Sequence, residues 1–373
     1  MINFLWFFVI SLALHGVITS AHSHTLTSRS LGHCNASRKR EMSQHLARDR
    51  KELITEERQA RGIDIDKLLV APRSYYDSLA TDHNVTYTGF NKDTNEQLLF
   101  SRYDEICVLD KQATYGPYYV SGEHIRQNIS ETQLGIPLSL ELQLVDVNTC
   151  QPVQNAFVDI WHCNSTGIYS GIARDPKLDL PANGNADDRA NVNTTFFRGI
   201  QKTDDFGVVR FETKFPGHYA LRATHIHVIV HENPHVLPNG TLELGTGSIA
   251  HVGQVFFDQT LIDLADTIYP YTQNTNAMVL NQEDGIFYDE ASSMDPVANY
   301  VYVGDSLEDG LVAWMAFGIN TTSDYTDTVQ EASFYGAEGG ETNENYNITK
   351  LGPLETVPSG VPTPSAFTTT IGL

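Results

Sequence analysis

Leu138-Ser139-Leu140-Glu141-Leu142-Gln143-Leu144 alternates apolar and polar side chains without a break. Side chains on a strand point to opposite faces in turn, so the run reads as a β-strand with one apolar, half-buried face. A turn region at 149–154 follows, and 157–162 reads as the next strand. The same reading gives strands at 208–215, 225–231, 253–257, 300–303 and 311–319, separated by Gly, Asn, Asp and Pro. Only 259–267 reads as helix inside this block. Many short strands joined by turns imply a mainly β chain with an antiparallel β-sandwich core.

Around that core the composition changes twice. The chain has 373 residues, and residues 1–23 carry an apolar stretch, FLWFFVISLALHGVITS, followed by a small-x-small site. That stretch is too short to span a bilayer comfortably and reads as a secretory signal peptide. Residues 24–75 are dense in charge and helix formers, so they read as a short helical segment, either a dimerisation arm (hence a possible homodimer) or a solvated leader. Residues 76–330 form the β domain. Residues 331–373 turn Gly/Glu/Asn-rich and then Pro/Ser/Thr-rich, which reads as a disordered tail.

A formal net charge of −22 argues against nucleic acid or an anionic membrane as partner. Eight N-x-S/T sequons, at Asn35, Asn84, Asn128, Asn164, Asn193, Asn239, Asn320 and Asn347, support a secreted, extracellular glycoprotein. In that compartment the four cysteines, Cys34, Cys107, Cys150 and Cys163, are expected to be oxidised. The positions of Cys150 by the turn and Cys163 on the return strand disfavour a bridge between those two.

The chemistry concentrates in HYALRATHIHV, residues 218–228. His225 and His227 on a strand share a face and supply half of a metal site. Tyr219 lies six residues before His225, on the same face if the strand is straight, but Arg222 would then point away. For both to serve one site the backbone between them must bend. A second segment, VDIWHCNSTGIYSG at 158–171, ends a strand and presents Tyr169 on a Gly-containing loop.

These runs, with RGIQKTDDFGVVRFETKFPG upstream of the H-x-H, HVGQVFFD at 251–258 and GPYYV at 116–120, resemble the intradiol ring-cleavage dioxygenases, particularly their secreted fungal branch, over roughly residues 100–320. The resemblance implies Fe(III) bound by Tyr169, Tyr219, His225 and His227. It implies Arg222 and Gln254 as the polar pair facing substrate, and Tyr219 as a base that takes a catechol proton. The implied reaction inserts O2 between the two hydroxyl-bearing carbons of a catechol and opens the ring to a cis,cis-muconate-type diacid. Two residues depart from the family pattern. Leu221 stands where Gly is usual, and Tyr115 where the branch often has Glu.

The chemistry is self-consistent. Fe(III) is a hard cation that prefers anionic oxygen, and its charge lowers a phenol's pKa from about 10 so that tyrosinate binds at neutral pH. Trp161 and His162 read as core and supporting residues, and Tyr118 and Tyr119 as packing or pocket wall. Two rival readings use fewer of these residues. A cupin-like metal site would use His225, His227 and Glu232 and leave both tyrosines idle. A non-catalytic phenolic- or glycan-binding sandwich needs only the fold.

Overall fold

The computed structural model describes residues 74–87, 112–173, 189–351, 356–359 and 361. The signal peptide, nearly all of the charged segment, Cys34, Cys107 and Asn35 lie outside the described residues. Among the described residues no helix is long and apolar enough to cross a membrane.

The described chain is mainly β. In order it forms β1 (Val120–Ser121), β2 (Pro137–Asp146), β3 (Gln151–Pro152), β4 (Phe157–Trp161), β5 (Arg198–Lys202) and β6 (Val208–Lys214). Then come β7 (His225–Glu232), β8 (Ser248–Phe256), β9 (Asn299–Tyr302), β10 (Leu311–Ile319), β11 (Ser333–Gly336) and β12 (Gly339–Thr342). Three short α-helices accompany them: α1 (Tyr75–Ala80), α2 (Gln259–Ala265) and α3 (Gly285–Ala291).

One large sheet runs β3-β2-β10-β9, with β6 also on β2; the other runs β5-β4-β7-β8. Leu138, Leu140, Leu142 and Leu144 from the first meet Val158, Ile160, Ile226, Val228 and Val230 from the second in one apolar core. The sandwich is not purely antiparallel, because β10 pairs with β2 in parallel from Leu311↔Leu138 to Ile319↔Asp146. These strands are far apart in sequence, and the long connection between them frees their relative direction.

The founding strand departs from expectation on its polar side. Ser139, Glu141 and Gln143 are buried, not solvated. Cross-strand partners on β6 satisfy two of them: Ser139 donates to Glu212 at 2.8 Å and Arg210 to Glu141 at 3.2 Å. Gln143 donates to the Phe206 carbonyl at 3.2 Å. A polar residue in an alternating strand therefore marks the second face without stating whether water reaches it.

The expected disordered tail is corrected over its first part. β11 and β12 form a hairpin, and β11 pairs with β1 from Val120↔Ser333 to Ser121↔Phe334. Polar composition concealed it: Ala332 and Ser333 are buried while the turn is exposed. Nothing past 361 lies within the described residues. Cys163 is a buried free thiol, so the expected oxidation of all four cysteines does not hold there and a 150–163 bridge is excluded.

Candidate functional site

The site lies on the face of the β5-β4-β7-β8 sheet opposite the main core, under a second cluster that includes Tyr118, Tyr119, Trp161, Tyr169 and Tyr219. β7 begins at His225, so His225 and His227 are the first and third residues of a strand and share that face. The register places Trp161 of β4 on one side of His227 and Gln254 of β8 on the other. The Trp161 ring stacks on the His227 imidazole at 4.7 Å and 3° and fixes its plane.

The bend required between Tyr219 and His225 is present. Residues 215–224 form a loop, not a strand, with Leu221 at φ +75°. The left-handed turn lets Tyr219 and Arg222 both face the imidazoles. It also explains the usual Gly at this position: a Cβ is disfavoured there by roughly 1–2 kcal/mol. Tyr169 arrives on the loop after β4, with its carbonyl held by Asn191 Nδ2 at 2.7 Å.

Four rings close a circuit: Tyr169–Tyr219 at 5.3 Å, Tyr219–His225 at 5.7 Å, His225–His227 at 4.5 Å and His227–Tyr169 at 6.0 Å between centroids. All four side chains are buried. His225 Nδ1 lies 2.7 Å from the Ala223 carbonyl. A carbonyl can only accept, so Nδ1 carries the proton and Nε2 presents its lone pair. That lone pair is 3.0 Å from His227 Nε2. Gly116 permits the approach on the far side, since a Cβ there would sit 2.8 Å from His227 Cε1.

Electrostatics keep this constellation neutral in the absence of a cation. Burial lowers His225 to about 3 and His227 well below its usual value, so both imidazoles keep their lone pairs at neutral pH. Burial raises Tyr219 to about 12, opposed by Arg222, and raises Tyr169 well above 10. Neither phenol ionises at neutral pH unless a positive charge adjoins it.

The guanidinium of Arg222 is buried and fully engaged on one edge. Its Nε donates to Asp284 Oδ2 at 2.7 Å, and Nη2 donates to Gln254 Oε1 at 2.7 Å and Asp284 Oδ1 at 3.2 Å. Burial opposes both charges, but Asp284 keeps Arg222 protonated and Arg222 holds Asp284 below the usual carboxylate range. Gln254 Nε2 donates to the Thr114 carbonyl at 2.9 Å.

All six residues singled out from the sequence therefore converge. Asp284 was missed. It is the N-cap of α3, accepting from Ile286 N and Phe287 N, and it also accepts from Ala223 N at 2.8 Å. The signal in Asp284-Gly285-Ile286-Phe287 is a capping residue before an apolar pair. His162 is a buried core residue, one of the two roles read for it, with Nε2 2.8 Å from Thr213 Oγ1 and Nδ1 2.8 Å from the Cys163 carbonyl. Glu232, the third member of the rival cupin-like site, is at the far end of β7, about 16 Å from His227 at strand rise. Among the described residues no group of three or more His, Cys, Asp or Glu could hold a metal.

A family model described as "Dioxygenase" matches residues 114–237. Among solved structures, the chain is similar to an intradiol ring-cleavage dioxygenase from Tetranychus urticae, with 35% identity over 58% of this chain and 97% of that chain and a TM-score of 0.48. It is similar to a hydroxyquinol 1,2-dioxygenase from Pseudomonas putida DLL-E4, with 16% identity over 59% of this chain and 69% of that one and a TM-score of 0.33. It is also similar to a catechol 1,2-dioxygenase from Acinetobacter sp. ADP1, with 21% identity over 56% and 62% and a TM-score of 0.32. No curated protein matches the chain.

Proposed function

The chain belongs to the intradiol ring-cleavage dioxygenases, and from that membership we propose a secreted Fe(III) enzyme that cleaves a catechol ring between its two hydroxyl-bearing carbons with O2. The observation that carries the proposal is the 3.0 Å separation of His225 Nε2 and His227 Nε2 inside a ring circuit completed by two tyrosines. Two imidazole nitrogens this close, in neutral rings, could both turn lone pairs to a single ion. Two neutral imidazoles with two phenols that ionise beside a trication form a donor set for a hard ferric ion, and two phenolates leave little net charge to bury.

Tyr169, Tyr219, His225 and His227 would hold the iron. Bound there, iron supplies a template for both catechol oxygens and the redox partner that makes the ring reactive toward O2. The remaining work falls to the chain. Ala223 O fixes the tautomer of His225, and Trp161 fixes the plane of His227. Tyr219 Oη, once ionised, would accept a catechol proton, and the adjacent Arg222 would stabilise that anion. Arg222, held from behind by Asp284 and Gln254, turns a fixed positive charge toward anionic substrate oxygen without reorganising. The surrounding aromatic rings exclude water, which strengthens that interaction.

Secretion is part of the proposal. It is supported by the apolar residues 4–20, by the eight sequons and by a disulfide at Cys150. Among the described sequons, Asn128, Asn193, Asn239 and Asn347 are exposed, and a secreted protein would carry its glycans there.

The test combines colour, oxygen and product. The iron-loaded protein is expected to show a visible tyrosinate-to-iron band, consume O2 with a small catechol panel and yield a muconate-type diacid. Tyr219→Phe should abolish turnover and shift the band. Arg222→Ala should keep colour and lose turnover by about 10²-fold or more. Full iron occupancy with no visible band would sink the tyrosinate site, and a coloured protein that consumes no O2 with any catechol would favour a binding protein instead.

A further inference from the structure

One rung of the β5-β4-β7-β8 sheet crosses the whole site. Trp161 pairs with Arg198 on one side and with His227 on the other, and His227 pairs with Gln254. Residues paired directly across neighbouring strands project to the same face. Arg198 therefore stands on the face of the site, two strands from His227. The chemistry proposed above does not use it.

Arg198 is 1% exposed, and its guanidinium engages two separate backbone segments. Nε and Nη2 both donate to the Ser170 carbonyl, at 3.0 and 2.8 Å, and Nε also donates to Ser170 Oγ at 3.0 Å. Nη2 donates to the Tyr118 carbonyl at 2.7 Å. Ser170 follows Tyr169 directly, and the Tyr118 ring centroid lies 4.6 Å from that of Tyr169. One planar group thus ties down both the chain beside Tyr169 and the chain of the ring packed on it.

The buried charge is compensated. Nη1 donates to Glu123 Oε1 at 3.0 Å. Glu123 hydrogen-bonds Asp159, and burial pushes both carboxyls up, so the pair shares a proton and its remaining negative charge balances the guanidinium. Apolar side chains could fill the same space without the desolvation cost of these groups. They could not bond the carbonyls of two loops.

We propose that Arg198 is a positioning residue that fixes the Tyr169 phenol relative to the imidazoles of His225 and His227. The proposal rests on the reading of Tyr169, Tyr219, His225 and His227 as an iron site. The planar fork of donors does the positioning, not the charge alone. A lysine keeps the charge but cannot reproduce that fork. Asn191 Nδ2 holds the Tyr169 and Ile172 carbonyls at 2.7 Å independently of Arg198, so the loop loosens in a variant without being lost.

The test uses the full-length protein and three readouts: amide hydrogen exchange without iron, iron affinity by chelator competition, and the visible tyrosinate-to-iron band. Arg198→Lys is expected to exchange faster at 118–120 and 168–172 while β7 and β8 stay protected. It should bind iron about tenfold more weakly or worse and show a shifted band. Ser170→Ala removes only the Oγ acceptor and should weaken iron binding about threefold, with a smaller shift of the band. Wild-type band and iron affinity in folded Arg198→Lys, or in Ser170→Ala if the lysine variant does not fold, overturn the proposal alone. Faster exchange in both loops with unchanged iron affinity does the same. Wild-type protein that binds iron without a visible band overturns the iron-site reading, and this proposal with it.

Discussion

At the scale of single residues, Leu221 and Asp284 carry the most information. Leu221 sits at φ +75°, 64% exposed, on the turn that lets Tyr219 and Arg222 face the same imidazoles. Its side chain buries little, so the strain has no packing return. Leu221→Gly relieves roughly 1–2 kcal/mol of left-handed strain and adds roughly 0.5–1 kcal/mol of unfolded-state entropy. The variant is expected to be more stable by about 0.5–1 kcal/mol in thermal or denaturant unfolding. A less stable variant would show that Leu221 packs. His225 and His227 were legible as a pair because period-two alternation puts them on one face, whereas Tyr169, Tyr219, Arg222 and Gln254 were singled out through the family resemblance of their runs. Asp284 was not, because a capping aspartate and an arginine 62 residues upstream share no local pattern.

At the scale of elements, the β11–β12 hairpin supports the candidate site from a distance. Gly340 on β12 packs so closely on the turn at 189–193 that a Cβ would lie 1.7 Å from the Val192 carbonyl. Asn193 Oδ1 accepts from Gly340 N at 3.0 Å, and Asn191 in the same turn holds the Tyr169 carbonyl. Gly340→Ala is therefore expected to cost about 2–3 kcal/mol and to lower the iron-to-protein ratio on reconstitution. Unfolding curves and metal analysis read the two effects separately. Unchanged stability would show that the hairpin only rests on the turn. Most strands were legible: β10 occupies the 311–319 read from sequence, and β2, β4, β6 and β7 agree within about two residues. β5, the hairpin and α3 were not. Arg198-Gly-Ile-Gln-Lys and Gly339-Gly-Glu-Thr carry too few apolar residues to show a period, and α3 spans only two turns.

At the scale of the whole molecule, His83 ties the segment after α1 to the sandwich. It is buried between Asp258, 2.5 Å from Nδ1, and Asp295, 2.9 Å from Nε2. Burial opposes its charge, but Asp295 and Asp258 outweigh that and raise its pKa to about 10. The unfolded value is about 6.5, so the stabilisation is fully present below that pH and is lost as pH rises through 10. Stability is expected to fall between pH 7 and 10, and His83→Gln should flatten that slope. An equal slope in the variant would place the loss elsewhere. The sequence by itself determined the mainly β class and the face shared by His225 and His227. These are local properties of period and composition. Tertiary structure alone decided that β10 lies parallel to β2, that the polar face of β2 is buried, that residues 333–342 are ordered, and that Asp284 holds Arg222. Each of these depends on contacts between segments far apart in the chain, where no sequence period extends.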